Sequence, residues 1–150
     1  MCSSAACTDL CGGLPVRAVH TATDILTPNE SEALVLLGLR GSLVSIDEAA
    51  VLGRRLLDLG PGSVLLKLGA KGAYLTDSAG GRHFPARQVA AVDATAAGDT
   101  FNGALAVALG EHADMANAVA FANIAASISV TRLGAQASIP TRGEVDALRR

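Results

Sequence analysis

The chain has 150 residues, of which 50% are hydrophobic and 17% charged; this fits one packed domain and argues against a globally disordered chain. Lys plus Arg total 12 against 14 for Asp plus Glu, a formal net charge of −2, which speaks against a broad nucleic-acid surface or a polybasic membrane surface but leaves room for a small anion pocket made of backbone N–H groups. No segment reaches the roughly 18 consecutive apolar residues of a membrane span, and the opening MCSSAACTDLCGG lacks the basic start and apolar stretch of a secretory signal. A cytoplasmic location is the resulting expectation.

Residues 1–22 are small, polar and aperiodic and read as an irregular tail; residues 23–150 read as the ordered part. The three cysteines, Cys2, Cys7 and Cys11, all lie in the tail. An odd number cannot complete a disulfide framework. With His20 they would make four metal ligands, although a tail carrying free thiols is the simpler reading. Beyond it, 24–27 is a short apolar run closed by Pro28, expected to be a buried strand end. Residues 30–39 are Leu-rich and expected to be helical, with Gly41 ending the unit. Ser45 and Glu48 form a capping box for a helix with apolar Ile46, Ala49, Ala50, Leu52, Leu56 and Leu57, stopped at Gly60-Pro61.

Residues 63–68 read as a strand, 69–72 as a turn, 73–76 as a second strand and 78–81 as a hairpin connection; 82–85 and 88–92 read as further extended pieces. Ala96-Ala97-Gly98-Asp99 opens an Ala-rich helix ending near Gly110. Asp114 caps another running to about Thr131, and Thr141 and Glu144 form a capping box for a short last helix. Strands mixed with helices imply an α/β layered domain, with a mostly parallel sheet and one hairpin.

Three segments can carry chemistry. In Asp93-Ala94-Thr95-Ala96-Ala97-Gly98-Asp99 an extended piece meets a helix through small residues, so a ligand can approach the backbone. The first N–H groups of a helix lack intrahelical acceptors and sit at the positive end of its dipole, which suits phosphate. Asp99 in that first turn could accept a proton from an attacking hydroxyl. Alternatively, Asp93 or Asp99 merely caps the helix. The second segment, Lys67-Leu68-Gly69-Ala70-Lys71-Gly72, follows a strand with glycines that permit a tight turn against a ligand, but a plain strand–turn–strand wants the same glycines. In the third, Thr27-Pro28-Asn29-Glu30-Ser31-Glu32, Asn29 and Glu32 are three residues apart and share a helix face, where they could hold Mg²⁺-bound water; the plainer reading is a helix start with solvated acids. His83 and His112 have no partner at metal spacing and read as ordinary surface or strand residues.

Taken in order, these segments resemble the ribokinase (PfkB-type) family of sugar kinases. Residues 93–103 resemble its C-terminal signature, TPNESEA its Asn-x-x-Glu motif, KLGAKG its nucleotide-binding turn, and TRLGAQASIP the segment that closes a monovalent-cation site in ribokinases proper. The resemblance implies a three-layer α/β/α sandwich, here truncated, without the N-terminal strands and β-lid. It implies transfer of the ATP γ-phosphoryl group to a sugar hydroxymethyl group, D-ribose to ribose 5-phosphate. Asp99 matches the catalytic base that meets the sugar, and the N–H groups of Ala96, Ala97, Gly98 and Asp99 match the anion hole. Asn29, Lys67, Leu68, Gly69, Ala70, Lys71, Gly72, Gly98, Asp99 and Asn123 match ATP-site positions, with Glu32 organising Mg²⁺ through water. Asp93, Thr95, Ser129, Arg132, Gly134 and Ser138 match a K⁺ site, several through backbone carbonyls.

One residue departs from the pattern: Ala94 stands where the signature usually has Thr, Ser, Pro or Val. The match also covers only the C-terminal part of the family's length, so the sugar-reading residues are absent, and Cys11-Gly12-Gly13 does not replace the family's Gly-Gly sugar motif. The partners implied are a small sugar and ATP, together with a complementing N-terminal half or a second copy in a homodimer. Nucleic acid and membrane are not implied. Three alternatives stand beside an active ribokinase-type enzyme: another PfkB-type sugar or nucleoside kinase, a non-catalytic nucleotide-binding module or inactive remnant, and the product of a disrupted reading frame.

Overall fold

The computed structural model describes residues 21–41 and 45–149; Cys2, Cys7, Cys11 and His20 lie outside the described residues. The elements in chain order are β1 (Ile25–Leu26), α1 (Glu30–Leu36), α2 (Ile46–Leu57), β2 (Ser63–Lys67), a 3₁₀ turn (Gly69–Lys71), β3 (Ala73–Asp77), β4 (Gly80–Phe84), α3 (Ala97–Gly110), α4 (Met115–Ser129) and α5 (Arg142–Leu148). The α/β class expected from the sequence is present. The described residues fall into two compact units, one made of those up to Leu66 with Tyr74–Arg82, the other of Lys67–Ala73 with those from His83 onward.

The sheet has the order β1-β2-β3-β4. β1 pairs parallel to β2, with Ile25 opposite Ser63 and Leu26 opposite Val64. From β2 onward the strands follow one another through short connections that only antiparallel neighbours allow. The expectation of a mostly parallel sheet is therefore corrected: the described strands hold one parallel pair. β1 is also shorter and less covered than expected. Ile25 and Leu26 are half-buried because β1 is an edge of the described sheet, and it is Pro28 beyond it that is buried. In β2, Ser63, Val64, Leu65 and Leu66 are all buried, the continuous apolar run of a strand covered on both faces.

In the first unit, α1 stops at Leu36 rather than running to residue 39. Gly38 takes φ +64°, its N–H donates to the Val35 carbonyl at 3.0 Å, and the Leu39 N–H donates to the Leu34 carbonyl at 2.8 Å. This pair of bonds is a Schellman stop. α2 starts as expected: the Glu48 N–H donates to Ser45 Oγ at 3.1 Å and the Ser45 N–H to Glu48 Oε2 at 2.9 Å. Its buried face is Ala49, Leu52, Gly53 and Leu56. A Cβ on Gly53 would lie 2.3 Å from Thr76 Oγ1, so the glycine is what lets α2 seat on β3.

In the second unit, α3 and α4 pack against each other, burying Phe101 and Leu105 from α3 and Phe121, Ala122, Ala125 and Ile128 from α4. α3 ends near Gly110 as expected, again by a Schellman stop, with His112 in the left-handed position at φ +65°. The Asn117 N–H donates to Asp114 Oδ1 at 2.8 Å, capping α4. α5 is fastened through Arg142, whose guanidinium reaches the Glu111 carboxylate at 2.6 Å and lies 4.9 Å from the Phe121 ring centroid. The piece 88–92, expected to be extended sheet, joins no strand. Its end is tied instead to α4 by the Val92 and Asp93 N–H groups, which donate to the Val130 carbonyl at 2.7 and 3.1 Å. Among the described residues no helix is long and apolar enough to cross a membrane.

Candidate active site

The second unit contains a cleft of about 290 Å³ lined by the turn after β2 (Gly69, Ala70, Gly72), the arm after β4 (Ala86, Arg87, Gln88, Val89), Ala97, Gly98 and Phe101 of α3, and Asn123 of α4. The turn is closed by its own backbone: the Leu68 N–H donates to the Gly72 carbonyl at 2.8 Å and the Gly72 N–H to the Gly69 carbonyl at 3.0 Å. Gly72 has φ +94°, and a Cβ there would fall 2.1 Å from the Phe84 carbonyl oxygen and 2.5 Å from the Ala86 nitrogen. A side chain at this position would force the turn away from the arm. Asn123 is buried, and its Nδ2 donates to the Phe84 carbonyl at 3.1 Å, so the amide fixes the arm against α4.

The first turn of α3 forms the head of the cleft. Ala96 precedes it in the left-handed conformation, φ +58°, and supplies no side-chain cap. The first i→i−4 bond is from the Thr100 N–H to the Ala96 carbonyl at 2.9 Å, so the N–H groups of Gly98 and Asp99 come before the helical ladder begins. The Ala97 N–H, one of the four expected anion-hole donors, donates to the Ala94 carbonyl at 3.2 Å. Lys67, at the end of β2, stands over this turn: its Nζ is 3.5 Å from Asn102 Oδ1 and 3.5 Å from where a Cβ on Gly98 would be.

Asp99 is exposed and opens on a different space. With Thr100, Gly103 and Val107 it lines a second cavity of about 360 Å³ bounded by Phe121, Ile139 and Val145. Thr100 is only 6% exposed, and its Oγ1 has no hydrogen-bond partner. The first turn of α3 thus touches two cavities, Ala97 and Gly98 on one and Asp99 and Thr100 on the other.

Neither Asp99 nor Asp93 caps α3. The Asp93 carboxylate accepts the Thr95 N–H at 2.8 Å and the Gly134 N–H at 2.9 Å, joining the strand-to-helix loop to the loop after α4. These bonds, with the Thr95 side chain foremost, hold its pKa below the ordinary value. Of the other residues expected at a K⁺ site, Ser129 and Ser138 are buried, and their hydroxyls donate to the Ala126 and Ala135 carbonyls at 2.9 and 2.8 Å. Arg132 pairs with Glu144. The structure therefore brings Asp93, Thr95 and Gly134 together and turns the serine hydroxyls to their own segments. Among the described residues no group of three His, Cys, Asp or Glu could hold a metal ion.

Of the expected ATP-site residues, Lys67, Gly69, Ala70, Gly72, Gly98 and Asn123 line the cleft. Leu68 is buried at 3% exposure, and Lys71 is exposed at the end of the turn. Asn29 and Glu32 belong to the first unit. There Asn29 Oδ1 accepts the Glu32 N–H at 2.9 Å and Glu32 Oε2 accepts the Asn29 N–H at 2.8 Å, a reciprocal capping box on α1. The arm 86–89 was not singled out by sequence reasoning. Its Ala86-Arg87-Gln88-Val89 matches no motif, and only Pro85 hinted that β4 would end there.

A family model for pfkB family carbohydrate kinases matches residues 14–142. The chain belongs to the pfkB family of carbohydrate kinases. Among curated relatives, the ribokinase of Haemophilus influenzae is 44% identical over 122 residues, 81% of this chain and 39% of that protein. Among solved structures, the ribokinase of Thermotoga maritima superposes with a TM-score of 0.78 at 47% identity, covering 89% of this chain and 45% of that one. An Arabidopsis thaliana ribokinase complexed with ribose and ATP gives a TM-score of 0.81 at 33% identity, covering 91% of this chain and 45% of that one. The fold is the ribokinase-like α/β fold. The chain spans less than half the length of the relatives it matches.

Proposed function

We propose that this chain carries the nucleotide-binding and phosphoryl-transfer part of a ribokinase-type sugar kinase. One observation carries the reading: the first turn of α3 touches two cavities, presenting Ala97 and Gly98 to the cleft walled by the Gly69–Gly72 turn and the carboxylate residue Asp99 to the other. A nucleotide in the cleft and an acceptor hydroxyl beside Asp99 would meet at that turn. The cleft suits a nucleotide chemically. Its walls are small and apolar where a base would lie, and at its head are helix N–H groups and the Lys67 ammonium, where phosphates would lie.

In this reading ATP supplies the phosphoryl group, with Mg²⁺ screening its charge. Asp99 accepts the proton of the sugar hydroxymethyl group, D-ribose being the expected acceptor. The N–H groups of Gly98 and Asp99, with that of Ala96, stabilise charge on the transferring group, and Lys67 adds a fixed positive charge. Most of the catalysis is positioning and charge stabilisation. A part for Glu32 in organising Mg²⁺ through water rests on the family resemblance alone; in the first unit its carboxylate closes the capping box on α1. A K⁺ ion, if held, would draw on backbone carbonyl oxygens of the loops that Asp93 joins. Ribose contacts beyond Asp99 would come from an N-terminal half like that of the longer relatives.

The test has two parts. MgATP binding by the purified chain is measured by calorimetry, and ATP-dependent ribose phosphorylation is measured with Mg²⁺ and K⁺, alone and with the N-terminal half of a ribokinase relative. Binding, together with turnover that Asp99→Asn abolishes, supports the reading; K⁺ raising turnover above Na⁺ supports the cation site. Binding without turnover under either condition would leave a nucleotide-binding module, and a folded chain that binds no MgATP would overturn the proposal.

A further inference from the structure

The Lys71 carbonyl lies 2.7 Å from His83 Nε2. A carbonyl oxygen can only accept, so Nε2 carries the proton and donates. Both residues belong to the second unit. Lys71 closes the turn whose Gly69, Ala70 and Gly72 form one wall of the cleft, and His83 is in β4 just before the arm whose 86–89 segment forms another. Sequence reasoning treated His83 as an ordinary strand or surface residue.

Three contacts converge on this junction from different elements. Gly72 presses on Phe84, Pro85 and Ala86 without room for a Cβ. Asn123 of α4 donates to the Phe84 carbonyl at 3.1 Å. His83 spans from strand to turn. The first two place the arm; the imidazole is the side-chain tie in this set that grips the turn itself. Two backbone bonds lie within the turn, Lys71 N–H to the Leu68 carbonyl at 3.1 Å and Gly72 N–H to the Gly69 carbonyl at 3.0 Å, and these two fix its shape rather than its distance from the arm.

We infer that His83 is a positioning residue of the nucleotide cleft: its bond to the Lys71 carbonyl sets the spacing between the Gly69–Gly72 turn and the 86–89 arm. The inference rests on the nucleotide reading of the cleft for its consequence, but the clamp itself can be tested without nucleotide. In the full chain, His83→Ala removes the donor and His83→Gln restores an N–H donor on a side chain of similar reach.

Amide hydrogen exchange at Leu68, Lys71 and Gly72, without nucleotide, reads the clamp. MgADP affinity by calorimetry reads its consequence, and thermal unfolding reports global stability. A single hydrogen bond of this kind predicts exchange about three- to ten-fold faster in His83→Ala and MgADP binding weaker by a similar factor, both recovered in His83→Gln. Wild-type exchange and affinity in His83→Ala would overturn the inference, as would His83→Gln failing as badly as His83→Ala. If the wild-type chain binds no MgADP, the nucleotide reading falls. Exchange alone then decides the clamp: faster exchange in His83→Ala that His83→Gln reverses upholds it, and unchanged exchange removes it.

Discussion

α3 and α4 are neighbours of similar length and composition, yet they begin in opposite ways. α4 is capped by Asp114, whose carboxylate accepts the Asn117 N–H at 2.8 Å. α3 begins at Ala96, a residue in a left-handed conformation with no side chain to offer its first turn. α1 and α2 follow the α4 pattern with reciprocal boxes, Asn29 with Glu32 and Ser45 with Glu48, and in α5 the Glu144 carboxylate accepts the Thr141 N–H at 2.7 Å. A cap satisfies N–H groups that would otherwise need another acceptor, and it is typically worth about 1 kcal/mol. α3 forgoes that gain and adds backbone strain of about 1–2 kcal/mol at Ala96. Such an arrangement suits a terminus whose acceptor is supplied by a ligand.

The most severe way to break the comparison is at Asp99. In a turnover-competent assembly, Asp99→Asn is expected to lower ribose phosphorylation by about 10²–10⁴-fold, while MgATP affinity measured by calorimetry changes far less. Equal losses in both would show that Asp99 serves binding rather than proton transfer. Gly72→Ala comes next. The added Cβ meets the Phe84 carbonyl at 2.1 Å, so chemical denaturation should show a loss on the order of 3 kcal/mol. Gly69 is the matched control, with φ +55° and nothing within 4 Å of a Cβ. Gly69→Ala should cost only about 1 kcal/mol, from conformation alone, and equal costs at the two sites would remove the close approach as the reason for Gly72.

The helix starts themselves provide smaller and more pointed tests. Asp114→Ala should lower stability by about 1 kcal/mol. Ala96→Gly should raise it by about 1 kcal/mol by relieving the left-handed alanine, as should His112→Gly at the other end of α3. If Ala96→Gly destabilises, the strain argument for the uncapped terminus fails.

The smallest effect is electrostatic. Arg132, then the Thr141 backbone and hydroxyl, lower the Glu144 pKa from its ordinary 4.5 to about 2. A carboxylate with a depressed folded pKa contributes stability above its unfolded pKa and loses it as pH falls toward the folded one. The contribution is therefore complete above about pH 5 and disappears between roughly 4.5 and 2. Glu144 is partly exposed, so the effect is small. Glu144→Gln should flatten that part of an acid-unfolding curve, and an unchanged curve would count against the pairing.

Much of this protein was legible along the chain because its signals are local. A capping box needs only residues three apart, so Ser45 with Glu48 and Thr141 with Glu144 could be read directly, as could the Asp114 cap. The glycines of the turn after β2 and the small residues before Asp99 marked the places where a ligand could approach backbone. The same local character limited the reading. Asn29 and Glu32 were read as a helix start with solvated acids or as magnesium organisers; the structure shows a helix start whose side chains form a reciprocal capping box. The short strand 25–26 was expected to be buried, but burial depends on neighbours that a run of apolar letters cannot supply.

By itself the sequence determined the α/β class, the helix starts, the Gly69–Gly72 turn and the motif set that marks the family, since propensity, capping and turn chemistry act within a few residues. Only the tertiary structure decided that Gly72 abuts Phe84 and Ala86, that Asn123 meets the Phe84 carbonyl and His83 the Lys71 carbonyl, and that the first turn of α3 lies between two cavities. The residues in these contacts are separated by up to 39 positions along the chain, and such pairings are selected by packing and hydrogen-bond satisfaction in the folded unit rather than by any local preference.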